Sequence, residues 1–91
     1  MNNSEIAAVF DDIAEMLKLR KENIFKIRAY QKAASSIKEL PIEVKQLVAE
    51  GRLREVPGVG EAITKKITEL VTTGKLDYYE KLKSEFPERN L

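Results

Sequence analysis

Ninety-one residues with a formal net charge of +1, no cysteine and no histidine describe one small domain (1–91), long enough for a single core but not for a separate catalytic lobe. The missing side chains exclude disulfides, Cys/His zinc sites and a histidine general base. No apolar run approaches the ~20 residues of a membrane span, and Met1-Asn-Asn-Ser-Glu5 lacks the regions of a signal peptide, so the chain reads as a soluble, cytoplasmic monomer with no membrane partner.

The near-neutral charge is segregated along the chain. Residues 1–17 carry Glu5, Asp11, Asp12 and Glu15 and no basic residue. Residues 18–38 carry Lys18, Arg20, Lys21, Lys26, Arg28, Lys32 and Lys38 against Glu22 alone. Such a basic segment suits phosphate backbones, although an ordinary solvated helix face has the same composition.

In chain order, Ile6, Val9, Phe10, Ile13 and Leu17 repeat at helical spacing, so residues 4–20 form an amphipathic helix capped by Asn3 or Ser4, its acidic face toward solvent. Asn23 caps a second helix that runs to about Glu39, with Ile27, Tyr30, Ala34 and Ile37 inward. Its small residues Ala29, Ala33, Ala34, Ser35 and Ser36 allow another helix to approach closely. Pro41 in a first turn and Gly51 in a left-handed position bracket a third helix near 42–50, burying Val44, Leu47 and Val48.

Leu53 and Val56 then mark a short helical turn, and Ile63, Ile67, Leu70 and Val71 mark the stripe of a fourth helix ended by Gly74. Asp77 with Glu80 caps a last helix through about Phe86, which Pro87 stops. No segment alternates with period two, so no strands are expected. The fold class is all-α, a small bundle of four to five short helices.

Between the third and fourth helices lies Val56-Pro-Gly-Val-Gly60. A tight turn that opens a helix presents unpaired amides and the positive end of the macrodipole, which together can hold a phosphate without any side chain. Val59 packs inward, while Gly58 and Gly60 permit backbone conformations and close approaches that a Cβ would hinder. Lys65 and Lys66 follow directly. Amides and lysines of this kind bind backbone phosphates with little base preference. As four letters alone, the same turn is equally a plain helix-to-helix connection.

The longer pattern Leu53-x-x-Val56-Pro-Gly-Val-Gly-x-x-Ile63-x-x-x-Ile67-x-x-Leu70 resembles the helix-hairpin-helix motif of DNA repair and replication proteins, placing it at about 52–73. Thr64 stands where many such motifs carry Ala, which implies slightly spread helices or a hydroxyl bonded back to its own helix. The second helix, with Ala29-Tyr30-x-x-Ala33-Ala34, together with Val56–Ile67 and Thr73-Gly-Lys-Leu76, is similar to the amino-terminal domain of X-family DNA polymerases, the family of DNA polymerase beta, and the segment Asp77–Pro87 most resembles its bacterial and archaeal branch.

That resemblance implies a SAM-like, polymerase-beta-type domain of a longer repair polymerase, active in base excision repair, that binds gapped or nicked DNA at its 5′-phosphate. It places Lys26, Tyr30 and Lys32 at phosphate-contacting or pocket-lining positions, and Phe25 where the eukaryotic enzyme has a base-stacking histidine. With the basic segment and the hairpin, the candidate DNA-binding set is Phe25, Lys26, Arg28, Tyr30, Lys32, Gly58, Val59, Gly60, Lys65 and Lys66. The resemblance also implies a bound K⁺ or Na⁺ on the carbonyls of Arg54, Val56 and Val59, with no other cofactor.

Lys66 falls on the position of the family's lyase nucleophile, an amine that forms a Schiff base with a 5′-deoxyribose phosphate. Such chemistry requires a neutral amine. Ala62, one helical turn earlier, replaces a second lysine of lyase-active relatives. Lys66 is therefore read either as a phosphate contact or as a nucleophile. A helical protein-interaction module is a third reading, favoured by a large exposed apolar patch and opposed by a basic surface around the hairpin. No carboxylate cluster resembles a two-metal polymerase site.

Overall fold

Five α-helices and two short 3-10 turns make up the computed structural model, which describes residues 1–90, with the side chain of Asn90 and all of Leu91 left out of the description. The helices are α1 (Asn3–Leu19), α2 (Ile24–Glu39), α3 (Val44–Ala49), α4 (Glu61–Thr73) and α5 (Asp77–Ser84). The 3-10 turns span Leu53–Glu55 and Pro87–Asn90. No strand occurs among the described residues, so the all-α expectation holds.

The core forms where apolar stripes at helical spacing meet. Ile6, Phe10, Ile13 and Leu17 of α1 are buried together with Ile27, Tyr30 and Ile37 of α2. Packing between α1 and α2 is the most extensive in the molecule. The buried alanines Ala7, Ala14, Ala33 and Ala34 let the two backbones come close, so more large side chains share one interior. Val44 and Leu47 of α3, Ile63, Ile67 and Leu70 of α4, and Leu76 and Leu82 around α5 close the remaining sides.

Helix boundaries follow cap chemistry, and two caps differ from the sequence expectation. The N-cap of α1 is Asn2, not Asn3 or Ser4: its side chain accepts from the Glu5 amide at 2.8 Å, while the Asn2 amide donates to Glu5 Oε1 at 2.9 Å. Asn3 instead reaches across the fold, its Oδ1 accepting from the Val44 amide at 2.7 Å and its Nδ2 donating to the Ile42 carbonyl at 2.8 Å. It thereby caps α3, which starts two residues later than expected and leaves Pro41 outside the helix.

For α5, Asp77 is the first helical residue and not a cap. Its amide donates to Glu69 Oε2 of α4 at 2.8 Å. The helix ends at Ser84, two residues before the expected Phe86, and Pro87 opens the second 3-10 turn.

The connections are held by left-handed residues. Gly51 (φ 67) and Gly74 (φ 78) stand where glycine is expected, whereas the α1–α2 turn places Lys21 at φ 58. A side chain there is strained by about 1 kcal/mol. Beyond α3, Arg52 bridges Glu50 at 2.6 Å and Glu55 at 2.9 Å. Hydrogen bonds from this guanidinium hold both carboxyls below the usual carboxylate value and brace the chain as it enters the hairpin.

Candidate nucleic-acid interface

The hairpin Pro57–Gly60 joins the 3-10 turn at Leu53–Glu55 to α4. Val56 and Val59 are buried and anchor it from both sides, as their apolar side chains dictate, and the Val59 amide donates to the Val56 carbonyl at 3.2 Å. Ser36 of α2 donates its hydroxyl to the Pro57 carbonyl at 2.7 Å. This bond ties the hairpin to the basic helix.

The two glycines have different reasons to be glycine. Gly58 adopts φ 80, and a Cβ on it would lie 2.8 Å from Lys32 Cδ and 2.9 Å from Lys32 Cε. The lysine stem is thus laid across the hairpin. Gly60 has an extended conformation (φ −91, ψ −172) that any residue adopts, and a Cβ there would meet nothing within 4 Å. Its missing side chain leaves the space before α4 open.

That opening faces a distinctive helix start. α1 is capped by Asn2, α2 by Asn23, α3 by Asn3 and α5 by Glu69. Among the described residues, only α4 begins without a side-chain acceptor on its first amides. Thirteen residues of aligned peptide dipole end there, with donors directed at solvent.

Around this opening the sequence-predicted residues divide into two groups. Lys26 Nζ lies 5.8 Å and Lys66 Nζ 4.9 Å from the centroid of the Tyr78 ring, so these lysines from α2 and α4 share one aromatic neighbour. Arg28 and Lys32 instead line an open groove along α2 that also holds Gln31, Ser36, Pro57 and the carboxylate of Glu39. The basic surface is therefore two adjoining patches. Lys65 is exposed and sits 3.8 Å from Glu61 Oε1, and Arg54 lies 3.9 Å from Glu61 Oε2.

Tyr30 is 4% exposed and stacks between Phe10, at 6.0 Å and 18°, and Tyr78, at 6.1 Å and 7°. Burial, with the neighbouring Tyr78, pushes its phenol above the ordinary value. It is a wall beneath the lysines. Phe25 is 74% exposed at the start of α2, beside the exposed Ile24 and Leu19.

The carbonyls of Arg54, Val56 and Val59 belong to one short turn, in which the Val56 oxygen already accepts the Val59 amide and keeps one lone pair for a cation. Among the described residues no group of three or more acidic side chains is placed to hold a metal ion, and no helix is long and apolar enough to cross a membrane.

The Thr64 hydroxyl is buried without a partner. Thr68, Thr72 and Thr73 bond back to the α4 backbone instead.

Sequence reasoning passed over Tyr78, Ser36 and Glu69 as parts of this region. Tyr78 is twelve residues beyond Lys66 across the Gly74 turn, a separation that helical periodicity does not relate. Ser36 was legible only as a small residue, because its bond to Pro57 is tertiary.

The fold and the open hairpin define a helix-hairpin-helix domain, and the sequence pattern of that domain family matches residues 1–76. The chain belongs to the helix-hairpin-helix domain family. It is also similar to DNA polymerase/3'-5' exonuclease PolX of Bacillus subtilis (strain 168), 27% identical over 88 residues, which cover 97% of this chain and 15% of that protein. That likeness agrees with the resemblance of its hairpin and second helix to X-family polymerases.

Proposed function

We propose that this domain binds DNA through its sugar-phosphate backbone, without base preference, and holds the 5′-phosphate at a gap or nick. The observation that carries the reading is the start of α4, whose first amides, alone among the helices, have no side-chain acceptor among the described residues. Elsewhere on the domain, Lys26 of α2 and Lys66 of α4 both lie against the Tyr78 ring, and among the described residues neither is in an ion pair. A phosphate at the helix start would receive amide N–H donors and the helix dipole, and the two ammonium groups offer a further contact for DNA phosphate. None of these donors reads a base edge, so affinity would follow phosphate placement and salt.

Lys32, laid over Gly58, and Arg28 extend positive charge along the outer side of α2. The hairpin carbonyls of Arg54, Val56 and Val59 suit K⁺ or Na⁺, whose charge would draw a further phosphate oxygen. The relative with which the chain aligns is a DNA polymerase and exonuclease of which this sequence spans 15%. The proposal therefore places the domain as the DNA-holding part of such a repair enzyme.

Fluorescence titration of gapped duplexes that differ only in the 5′-phosphate tests the reading. The phosphorylated duplex should bind several-fold tighter, and both should weaken as salt rises. Equal affinity for the two removes the 5′-phosphate site.

A second reading is favoured by Lys66, which is half-buried and, among the described residues, in no ion pair with a carboxylate. In a 5′-deoxyribose phosphate its amine would attack the C1′ aldehyde and lose water to give a Schiff base, from which β-elimination releases the phosphorylated DNA end. Ala62, exposed one turn earlier, offers no second amine. Borohydride trapping tests this, and an adduct undiminished in Lys66→Ala rules Lys66 out as sole nucleophile.

A further inference from the structure

Tyr78 has no part in the binding set above, yet it is the place where two free lysines from different helices meet. It is the second residue of α5, and its ring continues a stack that begins in the core with Phe10 and Tyr30. Both Tyr30 and Phe10 are buried, so the Tyr78 ring has a fixed support. Over it stand Lys66 Nζ at 4.9 Å and Lys26 Nζ at 5.8 Å.

Two ammonium groups drawn to one ring repel each other unless something offsets their charge. A carboxylate would do so, but it would occupy the N–H donors and repel an incoming anion, which is the position of Lys65 beside Glu61. An aromatic face attracts a cation through its quadrupole and leaves the N–H donors on the side away from the ring free. The pair is then ordered before the ligand arrives, which lowers the entropy lost on binding. Its natural complement carries more than one negative charge. A terminal phosphate monoester carries roughly −1.5 to −2 at neutral pH, whereas each internal backbone phosphate carries −1.

We propose that Tyr78 is a positioning residue whose ring holds Lys26 and Lys66 side by side as a clamp selective for a terminal phosphate monoester over the internal phosphates of the same DNA. The inference rests on the 5′-phosphate reading above and assigns that selectivity to a residue of α5. The Tyr78 hydroxyl, buried without a partner, is not required.

The test compares the wild type with Tyr78→Phe, Tyr78→Leu and Tyr78→Met. Each is titrated with gapped duplexes carrying a 5′-phosphate or a 5′-hydroxyl, with thermal melting to monitor the fold and NMR of the lysine ε-methylene protons. In the wild type, the ε-methylene signals of Lys26 and Lys66 should be ring-shifted, and they should remain so in Tyr78→Phe.

Tyr78→Leu and Tyr78→Met should lose the shifts and reduce the phosphate-to-hydroxyl affinity ratio by about three- to tenfold. Affinity for the hydroxyl duplex should stay unchanged. Met keeps apolar bulk without a quadrupole, so it separates lost packing from lost cation–π attraction.

Absent ring shifts in the wild type overturn the proposal. So does a ratio preserved in both Leu and Met variants, an equal loss for the two duplexes, or a Phe variant as weak as Leu. A wild-type ratio of one is a different failure, since it overturns the 5′-phosphate reading itself before any variant is compared.

Discussion

Where α1 meets α5, acids and bases are matched: Asp12 accepts from the Tyr79 hydroxyl at 2.8 Å and from Arg89, and Glu85 accepts from Arg20 at 3.1 Å. Asp11 is matched too, with Lys38 of α2 at 2.7 Å. Where α2 faces the hairpin and α4, Lys26 and Lys66 rest on an aromatic ring, and Arg28 and Lys32 line an open groove that includes Glu39 yet, among the described residues, are in no ion pair. The net charge of +1 averages these two regions and describes neither. Matched charge closes the bundle, and unmatched charge waits for a polyanion.

The difference predicts that mutations on the two sides separate binding from stability. The largest effect belongs to the double variant Lys26→Gln with Lys66→Gln. Its DNA affinity should fall by roughly tenfold or more, and the slope of log K against log salt should shrink by about 2, while the melting temperature is unchanged. An unaltered salt slope would break the comparison at its centre.

The mirror variant is Asp12→Ala. It leaves the partly buried Tyr79 hydroxyl and Arg89 without their acceptor and should cost about 1–2 kcal/mol in urea unfolding, with DNA binding untouched. The same contact makes an alkaline prediction. Burial, then the hydrogen bond to Asp12, raises the Tyr79 phenol from 10.0 to about 12.

Since the folded-state value lies above the unfolded one, this stabilisation is complete below pH 10 and is lost as pH rises toward 12. Spectrophotometric titration of the phenol should show a lower midpoint in Asp12→Ala. An unmoved midpoint would remove Asp12 as a cause.

A smaller contrast sits inside the hairpin. Gly58→Ala should destabilise by about 1 kcal/mol, because φ 80 is left-handed and the Lys32 stem must move. Gly60→Ala should leave unfolding unchanged yet weaken DNA binding, since its Cβ enters only the open space before α4. Loss of stability in Gly60→Ala would show that the openness is not kept for a ligand. The smallest effect is Glu61→Gln: removing the carboxylate shared by Arg54 and Lys65 should tighten DNA binding about two- to threefold at low salt. Weaker binding would mean that Glu61 helps to hold the hairpin.

Much of the fold is legible in the sequence because helical spacing is local. Residues such as Ile6, Phe10, Ile13 and Leu17 share one face of any helix they form, and all four are buried. Asn23 as cap of α2 and Gly74 as the left-handed end of α4 follow from the chemistry of those residues alone. The caps of α3 and α5 were not legible, because Asn3 and Glu69 act across 41 and 8 residues respectively. Likewise the acidic face of α1 looks solvated in sequence, whereas Asp12 is engaged by Tyr79 and by Arg89, the latter 77 residues away.

By itself, the sequence determined the helices and the glycine hairpin with lysines behind it, since propensity, capping and turn geometry depend on near neighbours. Tertiary structure alone decided which charges are free. It covered the starts of α3 and α5 through Asn3 and Glu69, left that of α4 open, sent Lys26 and Lys32 of one helix to different patches, and set Tyr78 under Lys26 and Lys66. An ion pair or a cation–π contact depends on distance in space, and packing, not sequence separation, sets that distance.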